Sequence, residues 1–316
     1  MTRAAALAGL CLLSAACGGG EPGTPAWETA PSLLHGRSAH AVVADGEAVY
    51  ALGGTGAAGE PVLAVERFDG RRWVEETTLP GEGLNAPAAA LLDGRLFVLG
   101  GFGTTTNVPT AEVRVYDLAA RTWSEAAPLP APRGGHAAVV LEGKIHVLGG
   151  GDEVSTLALH SVYDPAADRW TEAAPLPRAK GSPAAVVLDG ELWAIGGRSG
   201  PDDFGDAHVY DPVADAWSPG VPIPPRGTHG AAVHRGAIYV FGGESQARGT
   251  VLGGVLRLDP GADEWQRVEP GLPTARAYAR AVAFRDGVLV VGGSTSAGAS
   301  HSSPGSAVVE RFSAEP

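Results

Sequence analysis

The chain contains only two cysteines in 316 residues, Cys11 and Cys17, and both lie before residue 18. A domain built from the remainder has no thiol for a disulfide or a thiolate metal site, so packing must stabilise it. Charged residues are also sparse at 18%, and the 23 Lys and Arg are outnumbered by 35 Asp and Glu, giving a formal charge of −12. That balance excludes nucleic acid as a partner, because displacing phosphate counterions needs a basic face. The apolar stretch Ala4 to Leu13 is too short to span a bilayer, which takes about twenty residues. No nucleotide-binding loop, catalytic triad or closely spaced metal motif is present in the sequence.

Glycine (46) and proline (25) are abundant, which implies many short strands and many turns. Residues 1–17 read as an export signal: Arg3 gives the positive start, Ala4 to Leu13 the apolar stretch, and Ser14-Ala15-Ala16 the small residues for cleavage. The segment Leu13-Ser14-Ala15-Ala16-Cys17 resembles a bacterial lipobox, with Ser14 where leucine is typical. That resemblance implies lipidation at Cys17, anchoring to a bacterial membrane in the periplasm or at the cell surface, and a flexible linker over residues 18–26. Ordinary cleavage near Cys17, releasing a soluble secreted protein, is the other reading.

The main signal is internal repetition over residues 27–316. Gly-Gly pairs begin at Gly53, Gly100, Gly149, Gly196, Gly242 and Gly292, spaced 47, 49, 47, 46 and 50 residues apart. Trp27, Trp73, Trp123, Trp170, Trp217 and Trp265 precede these pairs by 25 to 27 residues. Turns such as Tyr163-Asp164-Pro165-Ala166-Ala167-Asp168-Arg169-Trp170 recur at Tyr210 to Trp217 and Leu258 to Trp265. Each unit divides into four strands, with Asp93-Gly94 or Asp189-Gly190 supplying the tight turn after the first.

Gly-Gly after an apolar strand, a turn and then tryptophan resembles the kelch repeat. The resemblance implies an all-β, six-bladed kelch-type β-propeller. Its glycine pairs are expected to serve backbone geometry or close packing. The chain opens on a fourth-strand tryptophan, Trp27, and closes on a third strand, Ala307 to Phe312, so neither end completes a blade. Joined, the N-terminal strand and three C-terminal strands make one, and no edge is left open.

Sixteen residues before each glycine pair stand Arg37, Leu84, Arg133, Lys180, Arg226 and Arg276, five of them basic. Three residues later come His40, Pro87, His136, Pro183, His229 and Ala279. The basic residues with His40, His136 and His229 are the candidate ligand-binding ring, at the mouth of the central channel, suited to carboxylate, phosphate or sulfate. Kelch domains that recruit ubiquitin-ligase substrates hold acidic peptides with arginines at this place, which Arg37, Arg133, Arg226 and Arg276 match. The other open reading is that these side chains satisfy neighbouring carbonyls and acids. Histidines in alternate blades stand too far apart for a shared metal, and the copper radical oxidase built on kelch repeats needs a cysteine that is absent.

No cofactor is therefore expected. The sequence points to a monomeric binding module for a protein segment or glycan. The alternative is a carbohydrate-active enzyme of the sialic acid mutarotase type, in which Arg133 or Arg226 would act with Glu244.

Overall fold

A computed structural model describes residues 25–297 and 303–314. Residues 1–24, with the export signal, Cys17 and most of the expected linker, lie outside the described residues. The described residues contain no helix; they form six four-stranded antiparallel blades around one axis.

Blade 1 comprises Ala41–Ala44, Val49–Leu52, Ala64–Phe68 and Trp73–Thr78. Blade 2 comprises Ala88–Leu92, Arg95–Gly103, Pro109–Asp117 and Thr122–Ala126, with Leu84–Asn85 paired alongside. Blade 3 is Ala137–Leu141, Lys144–Leu148, His160–Asp164 and Arg169–Glu172. Blade 4 is Ala184–Leu188, Glu191–Ile195, Ala207–Asp211 and Ala216–Pro219. Blade 5 is Gly230–His234, Ala237–Phe241, Val255–Leu258 and Gln266–Val268.

Blade 6 takes three strands from one end of the described chain and one from the other. Arg280–Phe284, Gly287–Val291 and Val309–Ser313 are joined by Ala26–Thr29, whose Trp27 stands opposite Phe312. The last strand begins two residues later than the expected Ala307, and the closure is as the repeat implies. Innermost strands touch in succession, and Arg280–Phe284 meets Ala41–Ala44 to close the ring.

The core is divided rather than single. Alternation along each strand sends apolar side chains to both faces, so each face must bury itself against a neighbouring blade. Six clusters result, one at each blade interface; that between blades 1 and 2, for example, joins Tyr50, Leu52 and Val65 to Leu96, Val98 and Tyr116.

The tryptophans fasten these interfaces at the rim. Trp27, Trp73, Trp170, Trp217 and Trp265 donate their indole N–H to the carbonyls of Pro270, Pro31, Ala127, Ala174 and Val221 in the preceding blade, at 2.8–3.0 Å. Trp123 donates instead to Thr77 Oγ1 at 3.1 Å. In blades 3 and 4 the repeated turn adds a second link. The Tyr163 and Tyr210 hydroxyls donate to Asp168 and Asp215, whose carboxylates also accept the backbone N–H of Ala127 and Ala174.

Candidate functional site

The residue after each basic position forms a backbone bridge with the residue after the glycine pair: Ser38 with Thr55, Asn85 with Phe102, Gly134 with Gly151, Gly181 with Arg198, Gly227 with Glu244, and Ala277 with Ser294. This places the loops that enter the first strand and leave the second at one end of the ring. One residue further on, Ala39, Ala86, Gly135, Ser182, Thr228 and Tyr278 all have φ between +47° and +63°. Five are not glycine, so the neighbouring structure must hold a backbone conformation that L-residues disfavour. Hydrogen bonds between neighbouring blades help to do so: the N–H of Ala86 donates to Ala39 O, Gly135 to Ala86, Ser182 to Gly135, and Tyr278 to Thr228.

The basic positions start at this end, but their side chains turn inward along their own blades. Arg37 is fully buried, donating to Glu66 Oε1 at 2.5 Å and to the carbonyls of Gly53 and Ala64. Glu66 accepts further from the backbone N–H groups of Leu34 and His35. Arg276 pairs with Glu310 at 2.8 Å, and Lys180 with Asp206 at 3.1 Å. Arg133 donates to Ser161 Oγ at 2.7 Å, and Arg226 to the Gly242 carbonyl at 3.2 Å. Burial without a paired acid lowers Arg133 and Arg226 to about 10, which leaves both protonated at neutral pH. In blade 2 the same place is taken by buried Leu84. The five cations thus tie the entry of the first strand to the second or third strand, with almost no surface presented to solvent.

The histidines are equally enclosed. His40, His136 and His229 are 0–3% exposed, and each is aimed at the carbonyl before the preceding blade's glycine pair: Val291, Leu99 and Ile195. Burial, reinforced by the adjacent arginine, holds them neutral, with His136 and His229 lowered to about 3. Their rings explain the first glycine. A Cβ on Gly292 would stand 2.7 Å from His40 Cε1, and one on Gly196 the same distance from His229 Cε1. The second glycine is pinned as tightly, since a Cβ on Gly54 would lie 2.3 Å from Ser38 O. Among the described residues no three His, Cys, Asp or Glu side chains converge as a metal site.

What faces solvent at this end is a cleft of about 670 Å³ between the loops of blades 2 to 5. Phe102, Asp152–Thr156, Ser182, Arg198–Gly200 and Gln246 line it. Val154, at the tip of the blade 3 loop, is 92% exposed. Thr156 and Ser199 share a 2.8 Å hydroxyl hydrogen bond across two blades. Asp152 spends its carboxylate on the N–H groups of Val154 and Ser155, and these bonds lower its pKa, so it shapes the loop rather than transferring protons.

A polar cluster joins blades 4, 5 and 6 beside the cleft. Arg198 donates to Glu244 Oε1 at 3.0 Å and to the Tyr278 hydroxyl at 2.7 Å, and Thr228 Oγ1 donates to the same carboxylate. Burial raises the Tyr278 phenol to about 12. Arg133 and Arg226 place their side chains on other partners, so the cation beside Glu244 is Arg198. Sequence reading missed Arg198 and Tyr278, although the repeat register carried the signal. Arg198 is the one basic residue among the six that directly follow a glycine pair, and Tyr278 stands directly before the histidine position, where the other blades have Ala, Gly, Ser or Thr.

Comparison with known proteins agrees with this geometry. The Kelch motif model matches residues 85–130 and 132–177, and the model described as the KLHDC2/KLHL20/DRC7 Kelch-repeats domain matches residues 171–293. Human Kelch-like protein 34 is 34% identical over 131 residues, covering 40% of this chain and 20% of that protein. Alpha-scruin of Limulus polyphemus is 30% identical over 129 residues, covering 39% of this chain and 14% of the other. The chain thus matches about a fifth or less of the length of these two relatives. The solved structure of YjhT superimposes with a TM-score of 0.74 at 18% identity, over 89% of this chain and 96% of that one. With six four-stranded blades, a glycine pair in each and kelch models matched from residue 85 to 293, the chain belongs to the kelch-repeat family of β-propellers.

Proposed function

We propose that the protein is a binding module that takes an extended protein segment into the cleft of blades 2 to 5. Kelch domains generally mediate protein–protein interactions. The observation that carries the reading here is the cleft itself. Its walls combine apolar Phe102 and exposed Val154 with the hydroxyls of Thr156, Ser182 and Ser199 and the amide of Gln246. Apolar anchors among a few placed polar groups are what a peptide site needs, and loops on a rigid scaffold are where specificity usually resides. Asp152 and Glu153 at the rim offset Arg198, so the cleft does not favour an acidic segment over a neutral one. The buried basic ring supports the loops from below. A peptide-display selection on the full chain tests this. Peptides recovered should bind at least tenfold more weakly to Phe102→Ala and Val154→Asp, and unchanged to Val213→Asp, an equally exposed valine in an outer turn. Equal binding by all four proteins would remove the cleft from consideration.

We further propose export directed by residues 1–17 and lipid anchoring at Cys17, supported by the lipobox-like sequence alone. Labelled palmitate should be incorporated by the wild type and not by Cys17→Ser; incorporation into neither would leave a soluble secreted form.

The Arg198–Glu244–Tyr278 cluster supports a second reading as a carbohydrate-active enzyme, with a guanidinium for a sugar carboxylate and an adjacent acid for proton transfer. NMR exchange between sialic acid anomers decides it. Acceleration by the wild type that is lost in Glu244→Gln would establish turnover, and no acceleration by the wild type would exclude it.

A further inference from the structure

The axial channel is lined by the first residue of every innermost strand: Ala41, Ala88, Ala137, Ala184, Gly230 and Arg280. Five blades place a methyl group or a hydrogen there, and the sixth places a guanidinium. Arg280 Nε donates to the His40 carbonyl at 2.9 Å across the seam between blades 6 and 1. Its two terminal nitrogens meet no acceptor among the described residues, and no carboxylate is among the groups acting on it. His136 and His229 border the same cavity, with their rings turned to the Leu99 and Ile195 carbonyls of the preceding blades.

Arg280 is half-buried and its guanidinium stands in the channel without a counter-charge, so a bound anion there would offset the cost of taking that charge out of bulk water. The cavity, about 110 Å³, accommodates several water-sized species. Its alanine walls leave no room for a bulky organic anion, and the charge at its centre is positive. We propose that the channel binds a small monovalent anion of halide size, held by the terminal nitrogens of Arg280 between His136 and His229. This site is separate from the peptide cleft and stands or falls independently of it.

Bromide is the probe. The melting temperature of the full chain is measured as bromide replaces gluconate at constant ionic strength, gluconate being too large for the channel. The wild type should show a saturable rise, as expected for a ligand of the native state. Arg280→Ala puts in the sixth blade the residue already present in four others; it should melt cooperatively and lose the bromide-dependent rise, which Arg280→Lys should retain. Crystals grown in bromide should show an anomalous peak beside the guanidinium. Equal bromide responses in wild type and Arg280→Ala, or no anomalous peak in the channel, would overturn the proposal. If Arg280→Ala does not fold, the crystallographic result decides alone.

Discussion

Arg37 shows how a residue type can mislead until its direction is known. A basic residue in an acidic protein suggests a ligand for anions, yet its guanidinium is fully buried against Glu66 and two carbonyls. Removing one member of such a pair strands the other, so Arg37→Ala should destabilise the fold by roughly 3–5 kcal/mol in urea unfolding. A loss below about 1 kcal/mol would mean that Glu66 is satisfied without it. The histidines set a pH dependence whose sign follows from their depression. Unfolded imidazoles take up protons below about pH 6.5, whereas native His136 and His229 stay neutral to about 3. His146 and His160, joined at 2.9 Å in blade 3, stay neutral to about 4, burial being the main cause. The unfolded state therefore binds more protons in this window, and stability rises with pH. It should be complete above pH 7 and fall on acidification from about 6.5, each imidazole costing about 2 kcal/mol by pH 5. Urea midpoints that agree at pH 7 and pH 5 would contradict this.

At the scale of the strand and turn, most of the architecture was legible. Gly-Gly, tryptophan and Tyr-Asp turns recur because each solves a local problem that every blade shares. The glycines admit a histidine ring or a neighbouring backbone, and the indole reaches the blade before. Trp170→Phe removes the 2.8 Å bond to Ala127 O together with part of the packing on Tyr163, so it should cost at least roughly 1–2 kcal/mol in thermal or urea unfolding. An unchanged midpoint would show that water replaces the indole at no cost. Side-chain direction was not legible. Whether a basic side chain leaving the channel mouth points to solvent or back along its blade depends on an acid about thirty residues later, Glu66 for Arg37 and Glu310 for Arg276. Arg198 and Tyr278 are 80 residues apart and meet only once blades 4, 5 and 6 are arranged around the axis. Arg280 is marked by the repeat register itself, as the one large residue in a column of alanine and glycine directly after the histidine position.

For the whole molecule, ring closure governs everything else. The strand Ala26–Thr29 completes blade 6, and Trp27 packs on Phe241 of blade 5 and Phe312 of blade 6. Deleting residues 24–34 should expose the edge of Val309–Ser313 and the apolar interface behind it, giving aggregation or loss of cooperative melting. A truncated protein that melts like the full chain would refute closure as the source of stability. A closed ring also fixes the six loop pairs at one end, so a partner recognised by the cleft should touch several blades at once. Hydrogen–deuterium exchange with and without a selected peptide measures this most directly. Protection should appear together at Phe102, residues 151–156, 198–200 and Gln246, which share the cleft. Protection confined to the outer turns around Val213, or to the opposite end of the ring, would contradict recognition at the cleft.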